Sequence, residues 1–320
     1  MDRSNTELPC PVCCNPLVYE RSVFDDRYGY SGVFLVYSCD LCQHKSLNTN
    51  FSDEELSELY SHYYPRSDLK LENVKPRNPG RGMCAWLNGE KRSAYYWVPR
   101  NVRVLDIGCG FGEALAYHKL RGCDVYGVET DENVQRTADL FGFHAHVGVF
   151  APGIYQTDFF DYVTMDQVVE HFRDPVLVLK EVSSILKKGG QAILSTPNPQ
   201  GWGAHFFGDR WLNWHAPYHL QFFSPTSMEL AANAAGLVVE KKMTITSSEW
   251  LYWQWIHLVN FPEEGSPSSF WSQVGSPNHN NKKIMMALSA LNRLKINHIF
   301  TRFFDSVGFG DNHLFFLRKP

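Results

Sequence analysis

The sequence contains no run of about 20 apolar residues, which is the length that an α-helix needs to cross a bilayer. It also has no excess of basic residues, because 30 Lys and Arg stand against 34 Asp and Glu, for a formal net charge of −4. This balance argues against non-specific nucleic-acid binding as the main function. The N-terminus shows no secretory signal pattern. We therefore expect a soluble, cytoplasmic protein with no transmembrane span and no nucleic-acid partner.

The phosphate-binding pattern G-x-x-x-x-G-K-[ST] is absent as well. Instead, an apolar run ends in Asp106 and continues into Gly108, Gly110 and Gly112. This pattern predicts a buried strand, a tight turn and a helix whose free N–H groups attract a polar or anionic ligand end. The spacing is G-x-G-x-G rather than the G-x-G-x-x-G of dinucleotide sites. It indicates a nucleoside ligand without a pyrophosphate.

The residues after this turn alternate regularly between strand and helix patterns. A second predicted strand ends in Glu129, at the spacing where an acidic residue meets a ribose in doubly wound folds. Alternating elements of this length predict an α/β fold with a parallel sheet, whose ligands bind beyond the carboxyl ends of the strands. We predict strands near residues 102–107, 124–128, 144–149, 160–165 and 191–196, and helices near 112–121, 131–141 and 175–187.

Three further stretches, at residues 160–172, 185–190 and 192–198, follow the glycine turn in a characteristic order. With it, they resemble a class I S-adenosylmethionine-dependent methyltransferase over residues 95–245 and the last strand. The resemblance implies a seven-stranded Rossmann-like sheet with S-adenosylmethionine as cofactor. It implies that Asp106 and the turn hold the methionine end, Glu129 the ribose, and Asp166 or Gln167 the region of the sulfonium. The cofactor-binding residues are thus Asp106, Gly108, Cys109, Gly110, Gly112, Glu129, Thr130, Asp166 and Gln167. Residues 148–151 lack the acidic residue that often binds the adenine amino group.

Two C-x-x-C pairs stand near the N-terminus, Cys10 with Cys13 and Cys39 with Cys42. Four thiolates presented from two tight turns form the closed tetrahedral cage that Zn²⁺ prefers. Disulfides are the alternative, which a cytoplasmic location disfavours. We therefore predict a structural zinc ribbon.

The length of 320 residues and the 44% hydrophobic composition suit one large domain with appendages, or two domains. We predict a zinc ribbon at residues 1–50, and a helical linker or lid at 51–95 that opens with a capping box at Ser52. The methyltransferase domain then covers residues 96–249 and 306–320. A helical insertion at residues 250–305 lies on the substrate side, before the last strand.

Residues 211–223 are the most informative stretch for substrate chemistry, because they place His215 and His219 among aromatic side chains. Methyl transfer to oxygen or nitrogen needs a base of near-neutral pKa, which histidine supplies. The resemblance to ubiquinone-type and sugar methyltransferases favours His219 as catalytic base, followed by His171 and His215. Each histidine could instead order the loop by hydrogen bonding. Glu170 with His171 and His219 could also hold a divalent metal.

The insertion combines an aromatic stretch at residues 250–258, a polar loop, and one helical pattern at 284–303. Its helices could simply wall the pocket. They could also receive a hydrophobic or lipid-linked acceptor, or rest on a membrane surface as a peripheral contact, which nearby basic residues such as Lys283 and Arg293 would allow.

The function that we expect is O-methylation of a small molecule, such as a sugar, a natural product or a lipid-linked acceptor, with a histidine as general base. Two other classes stay open, namely a methyltransferase of protein or RNA and a non-catalytic cofactor-binding scaffold. The acidic balance and the lack of an Asn-Pro-Pro-Tyr motif weigh against the first. Intact Asp106, Glu129 and turn glycines weigh against the second. The acceptor atom and the oligomeric state stay open.

Overall fold

A computed structural model of the chain describes residues 8–49, 51–63, 70–271 and 282–320. Its strands form one seven-stranded sheet and one four-stranded sheet. None of the helices in these described ranges is both long and apolar enough to cross a membrane. Part of the predicted polar loop, including Gly275 and Pro277, lies outside the described residues.

The secondary structure elements follow one another in an order that alternates strands and helices through the middle of the chain. In chain order, the strands are β1 (Val18–Phe24), β2 (Val33–Ser38), β3 (Lys45–Asn48), β4 (Arg103–Ile107), β5 (Asp124–Glu129), β6 (His144–Val147), β7 (Phe160–Asp166), β8 (Leu186–Pro197), β9 (Gln221–Phe222), β10 (Val238–Thr244) and β11 (Asn312–Arg318). The α-helices are α1 (Asp53–Glu58), α2 (Gly82–Asn88), α3 (Glu113–Lys119), α4 (Asn133–Phe141), α5 (Pro175–Ile185), α6 (Trp202–Phe207), α7 (Pro225–Ala234), α8 (Ser248–Val259), α9 (Lys282–Arg293) and α10 (Ile296–Ser306).

The large sheet has the order β10-β11-β8-β7-β4-β5-β6. The five strands from β8 to β6 are parallel, whereas β11 is antiparallel to both of its neighbours. This confirms the predicted seven-stranded Rossmann-like fold, and the last two strands form an antiparallel hairpin that closes the sheet. Because the parallel strands all point the same way, the carboxyl ends of β4, β5 and β7 lie at one edge of the sheet, where ligands bind in such folds.

Two strand boundaries differ from the sequence-based expectation. The strand expected at residues 191–196 begins earlier, at Leu186, directly after α5 ends at Ile185. The strand expected at 144–149 ends at Val147, because Gly148 has a φ of 146°, a conformation that L residues rarely adopt. Neither difference changes the position of the carboxyl ends of β4, β5 and β7.

Strand β4 is buried on both faces, as is typical of parallel strands covered by helices. Val104 belongs to the apolar cluster that includes Leu115 of α3, whereas Leu105 belongs to the cluster that includes Leu179 of α5. Both β4 side chains are 0% exposed. Burying a side chain of this size contributes about 1.5–3 kcal/mol. These two apolar layers hold the strand whose end carries the glycine turn.

Several helices begin where the sequence places capping residues. Ser52 Oγ accepts from the Glu55 amide at 3.2 Å, and the Glu55 carboxylate accepts from the Ser52 amide at 2.7 Å. This confirms the predicted capping box of α1. Ser224 caps α7 with Pro225 at the first position, and Asp174 caps α5.

The helical pattern predicted as one element at residues 284–303 is in fact two helices, α9 and α10. Lys295, with a φ of 61°, separates them. Neither Gly nor Pro marks this break in the sequence, and the apolar spacing runs through it. The prediction of a single helix was therefore wrong, because Lys295 adopts the left-handed backbone conformation and interrupts the helix.

The small sheet has the order β1-β2-β3-β9, so its last strand comes from the histidine-containing loop rather than from the N-terminal region. Lys45 and Ser46 of β3 pair with Phe222 and Gln221. A third apolar cluster joins Val36 of β2 to loop side chains that include Trp211 and Trp214, both nearly inaccessible. The cysteine-containing region and the loop thus share a sheet and a core.

Candidate active site

The glycine turn after β4 has the backbone conformation that its composition predicts. Gly108, Gly110 and Gly112 have φ angles of 68°, 55° and 74°. A Cβ on Gly108 would lie 2.5 Å from Val168 Cγ2, and one on Gly112 would lie 2.5 Å from Phe143 Cζ. At Gly110, by contrast, a Cβ would meet no described atom within 4 Å. The first and third glycines are therefore required by packing, while the middle one faces open space where a ligand can approach the backbone.

A buried carboxyl group lies directly beneath the turn. Asp106 Oδ1 accepts a hydrogen bond from Thr164 Oγ1 at 2.6 Å, and the residue is 7% exposed. Burial raises the pKa of Asp106 to about 7, and the nearby Asp166 carboxylate adds to the effect. The site therefore favours a positive charge, which would stabilise the ionised form of Asp106.

Glu129 at the end of β5 is held by the backbone around it. Its Oε2 accepts from the Gly110 amide at 2.9 Å, and its Oε1 accepts from the amides of Thr130 at 2.7 Å and Asp131 at 3.2 Å. The Thr130 hydroxyl also donates to Oε1, at 3.1 Å. The carboxylate is thus fixed at the sheet edge, beside the middle glycine of the turn.

Asp166 and Gln167 at the end of β7 are both anchored on Ser195 of β8. The Ser195 hydroxyl donates to Asp166 Oδ1, and Gln167 Nε2 donates to Ser195 Oγ at 3.0 Å. Gln167 has a φ of 60°, so the chain turns sharply as it leaves the strand. Both side chains are consequently held at the edge where β4 and β5 also end.

A cavity of about 230 Å³ opens between these strand ends. Five of the residues predicted to bind the cofactor line it, namely Asp106, Gly108, Cys109, Gly110 and Asp166. The other four predicted residues, Gly112, Glu129, Thr130 and Gln167, are not among its lining residues. Its remaining walls come from Phe111, Glu113, Ala114, Arg77 and Tyr95.

Arg77 and Tyr95 are site residues that sequence reasoning missed. The Arg77 guanidinium lies 5.1 Å from the centre of the Tyr95 ring, and its nitrogen is 3.8 Å from a Glu113 carboxylate oxygen. The Arg77 amide also donates to the Glu113 carbonyl, at 3.0 Å, which ties the linker to the start of α3. In the sequence, Arg77 is one of several basic residues in a proline-rich stretch, and nothing distinguishes it.

A protein-family model described as a methyltransferase domain matches residues 59–242, which is more than half of the chain. The chain belongs to the methyltransferase-domain family. Its sheet order and glycine turn, together with this match, place it in the class I S-adenosylmethionine-dependent methyltransferase family, as the sequence resemblance predicted.

Curated relatives of this methyltransferase include ubiquinone biosynthesis O-methyltransferases. The protein from Aeromonas salmonicida is 29% identical over 150 residues, which are 43% of this chain and 63% of that protein. The protein from Ralstonia nicotianae is 32% identical over 152 residues, which are 45% of this chain and 59% of that protein. The matches therefore span less than two thirds of the length of these two relatives.

Similar solved structures also belong to methyltransferases. A putative methyltransferase of Haloferax volcanii, in complex with the Trm112 activator, has a TM-score of 0.47 at 18% identity and covers 73% of this chain and 90% of its own. A geranyl diphosphate methyltransferase in complex with S-adenosylmethionine has a TM-score of 0.46 at 16% identity and covers 74% and 86%.

The three candidate histidines form one cluster, in which His215 and His219 are buried and His171 is half-buried. The ring centres of His171 and His219 are 4.8 Å apart, as are those of His215 and His219. His219 Nδ1 lies 2.9 Å from the Asn213 carbonyl, and His171 Nδ1 lies 2.9 Å from the Tyr218 carbonyl. Because a carbonyl only accepts, each of these two Nδ1 atoms must carry the proton. The unprotonated Nε2 of His219 then accepts from His215 Nδ1, at 3.3 Å.

Burial keeps the cluster neutral. It lowers the pKa of His171 to about 4 and holds the pKa values of His215 and His219 well below their ordinary range. None of the three lines the cavity beside the glycine turn. The described residues therefore give a cluster that can accept protons but is covered by its own loop, so its role as base stays a prediction.

Glu170 completes a group whose donor atoms lie close together. One oxygen of Glu170 and one ring nitrogen each of His171 and His219 lie within 4.8 Å of one another. Burial raises the pKa of Glu170 to about 8, so the group holds a proton at neutral pH. The arrangement suits either a proton-sharing network or a divalent cation, as the sequence allowed.

The four cysteines of the predicted ribbon converge as expected for a metal cage. Cys13 Sγ lies 3.4 Å from the Sγ atoms of both Cys39 and Cys42, and Cys10 Sγ lies 3.6 Å from that of Cys42. All four are free thiols, too far apart for a disulfide bond of about 2.05 Å. Zn–S bonds of about 2.3 Å in a tetrahedron place sulfur atoms about 3.8 Å apart. The geometry therefore suits a four-thiolate metal site.

The cysteine region contacts the histidine loop through buried polar groups. His44 Nε2 lies 2.8 Å from Gln221 Oε1, and the Arg27 guanidinium donates to the Leu212 carbonyl at 2.5 Å. Ser224 Oγ donates to the carbonyl of Cys42 at 2.7 Å. The position of the loop thus depends directly on the cysteine turns.

Proposed function

We propose that this protein transfers the methyl group of S-adenosylmethionine to an oxygen atom of a small-molecule acceptor. One observation carries the proposal, namely that the glycine turn, Asp106 and Asp166 line a cavity at the sheet edge of a chain that belongs to the methyltransferase family. The similarity to proteins named ubiquinone biosynthesis O-methyltransferases supports an oxygen acceptor.

The residues around the cavity suit the two ends of the cofactor. S-Adenosylmethionine supplies an electrophilic methyl group on a sulfonium. The carboxylates of Asp106 and Asp166 would favour its positively charged groups, while Arg77 offers a cation to its carboxylate. Glu129 and Thr130 would hold the ribose hydroxyls from the neighbouring strand end. Most of the rate enhancement would come from positioning both reactants in a site that excludes water.

His219 is the base that we propose for the acceptor hydroxyl. Its Nδ1–H is held by the Asn213 carbonyl, and its unprotonated Nε2 accepts from His215 Nδ1 at 3.3 Å, a hydrogen bond that the acceptor hydroxyl would replace. His171, whose ring centre lies 4.8 Å from that of His219, is the second candidate, with His215 third. The depressed pKa values keep all three rings neutral at pH 7 while making each a weaker base.

Cofactor binding is the first test. Purified protein is titrated with S-adenosylmethionine and S-adenosylhomocysteine in a calorimeter, and transfer is followed with acceptor phenols and sugars by release of S-adenosylhomocysteine. We expect micromolar binding of both ligands. A folded protein that binds neither would contradict the proposal, and binding without transfer to any acceptor would favour a scaffold.

The role of His219 is tested by His219→Asn, because the asparagine amide can still donate to the Asn213 carbonyl. We expect turnover to fall by about a hundredfold, the typical contribution of a general base, with cofactor affinity unchanged. His205→Ala, which changes an exposed histidine, is the control. Equal turnover in His219→Asn and the unmodified protein would remove His219 as base.

We further propose that Cys10, Cys13, Cys39 and Cys42 hold one structural zinc ion, because their donor set and spacing suit it. A hydrophobic or lipid-linked acceptor and peripheral membrane contact also stay predictions, as does a cytoplasmic location. An apolar groove between α6, α8 and α10, lined by Phe206, Trp255 and Phe300 among others, supports an apolar ligand. As far as the described residues show, however, it shares no lining residue with the cavity beside the glycine turn.

A further inference from the structure

A second cavity, of about 320 Å³, adjoins the cofactor cavity and shares two of its walls, Arg77 and Tyr95. Its other walls come from residues 88–93, from the start of α8 and from the junction of α9 and α10. The linker and the insertion therefore meet around it. A molecule in this space would reach the cofactor cavity past Arg77 and Tyr95.

The walls of this cavity are polar and carry several cations. Arg77, Arg92 and Lys295 supply positive charge, against Glu90 and Glu249. The Glu90 carboxylate is already used, because it accepts from the Gly80 amide at 2.5 Å and from Asn88 Nδ2 at 3.1 Å. Glu249 is exposed at the rim, where solvent screens it. Arg77 and Lys295 are exposed as well, so Arg92 is the half-buried cation of this cavity that has no fixed partner among the described residues.

Arg92 is the most unusual of these residues. Arg92 is half-buried, and its guanidinium makes no hydrogen bond or ion pair with any residue in the described part of the chain. Partial burial lowers its pKa, while the Asp166 carboxylate, on the wall of the cofactor cavity, acts in the opposite direction. A half-buried guanidinium in a cavity wall can bind an anionic ligand, because its planar fork matches a carboxylate or a phosphate.

We propose that this second cavity binds the acidic group, a carboxylate or a phosphate, of the methyl acceptor, and that Arg92 is its anchoring residue. The inference rests on the proposed methyl transfer and narrows its substrate class to acceptors that carry an anion. The anion would lie against Arg92 and Lys295, while the hydroxyl to be methylated points past Tyr95 toward the glycine turn. An uncharged acceptor would leave the guanidinium unpaired and bind more weakly.

The test measures anion binding directly. Inorganic phosphate and benzoate are titrated separately into the protein, with and without saturating S-adenosylhomocysteine, and binding is followed by calorimetry. We expect saturable binding of at least one anion and a loss of about tenfold to a hundredfold in Arg92→Gln, the effect of one charge-assisted hydrogen bond or a bidentate pair. Arg92→Lys should lose less. The anion that binds more tightly identifies the acidic group as phosphate or carboxylate.

Two further variants keep the result interpretable. Lys295→Gln changes an exposed side chain at the cavity rim and should weaken the same anion about threefold, a typical effect for an exposed charge. Lys188→Gln changes an exposed lysine outside the cavity walls and should have no effect. Equal anion binding in Arg92→Gln and the unmodified protein, or saturable binding of neither anion, would overturn the inference. Failure of S-adenosylhomocysteine alone to bind would instead overturn the proposed methyl transfer.

Discussion

Asp106 is the residue whose charge should control cofactor affinity. Its pKa is raised to about 7, so it is mostly protonated at pH 6 and mostly ionised at pH 8. A cationic ligand binds the ionised form better. If only that form binds, the affinity for S-adenosylmethionine rises about tenfold between these two pH values.

A calorimetric titration at several pH values checks this prediction. Asp106→Asn should weaken binding and remove the pH dependence, whereas Asp139→Asn, which changes an exposed carboxylate on α4, should preserve it. An affinity that is flat between pH 6 and 8 in the unmodified protein would show that Asp106 does not face the bound cation.

Site residues that follow one another in the chain were predictable, and those brought by packing were not. Asp106, Gly108 and Gly110 are encoded by one local strand–turn–helix pattern, in which the residue types themselves dictate the backbone. Arg77 and Arg92 reach the same region through a turn-rich linker with no periodic pattern. Their side chains become site residues only because the linker packs against α3 and the insertion.

The proposed zinc ribbon is the element whose loss should affect the candidate active site most. Cys39→Ser, or removal of metal with a chelator, is expected to lower Tm by more than about 5 °C, because metal-binding free energy contributes to folding. Turnover should fall as well, since β3 pairs with β9 in the histidine loop.

Metal content, Tm and turnover measured on the same samples test this prediction. Cys14→Ser is a matched control, because Cys14 is exposed and stands outside the four-thiol cluster. We expect one zinc per chain in this control and in the unmodified protein. A Cys39→Ser variant with unchanged Tm and turnover would show that the ribbon folds and acts independently of the loop.

Element boundaries were predictable where the chain itself marks them. The cap at Ser52 and the alternation of strands with helices gave correct elements. The break at Lys295 was missed because it depends on tertiary packing, with the Asn297 amide donating to the Ser248 carbonyl of α8 at 2.7 Å. The pairing of β3 with β9 was missed because β9 has only two residues.

At the scale of the whole molecule, buried titratable groups should give stability a maximum in pH. Buried carboxyl groups with raised pKa values keep protons in the folded state that the unfolded chain loses above about pH 4, so they lower stability as pH rises. The described carboxyl groups of this kind are Asp106 (pKa about 7), Glu170 (about 8), Asp305 (about 6), Asp311 (about 7) and Asp25, whose pKa burial raises above its ordinary value.

Buried histidines act in the opposite direction. Below about pH 6.5 the histidines bind protons in the unfolded chain but stay neutral in the folded protein. These groups therefore lower stability as the pH falls. The described histidines of this kind are His44 and His171 (pKa about 4), His118 and His313 (about 3), His215 and His219 (well below the ordinary value) and His298 (below the ordinary value).

The two groups together predict the highest Tm near pH 6.5. Below that pH the effect of the histidines is larger than that of the carboxyl groups, so stability falls as the pH falls. Above it the effect of the carboxyl groups is larger, so stability falls as the pH rises to about 8. Thermal unfolding followed by circular dichroism between pH 5 and 9, at constant ionic strength, measures the profile. A Tm that rises steadily from pH 6 to pH 8 would contradict this account.

The position of β11 inside the large sheet limits how far the protein can be shortened. The family match ends at residue 242, yet β11, at Asn312–Arg318, lies between β8 and β10. A protein cut at the match boundaries would lack β11, so the edge of β8 would be unpaired. Other chains could pair with this edge, and the protein would aggregate. It would also uncover Trp211 and Trp214, which pack against the N-terminal strands. The smallest version that stays dispersed in solution must therefore keep both the cysteine region and the last strand.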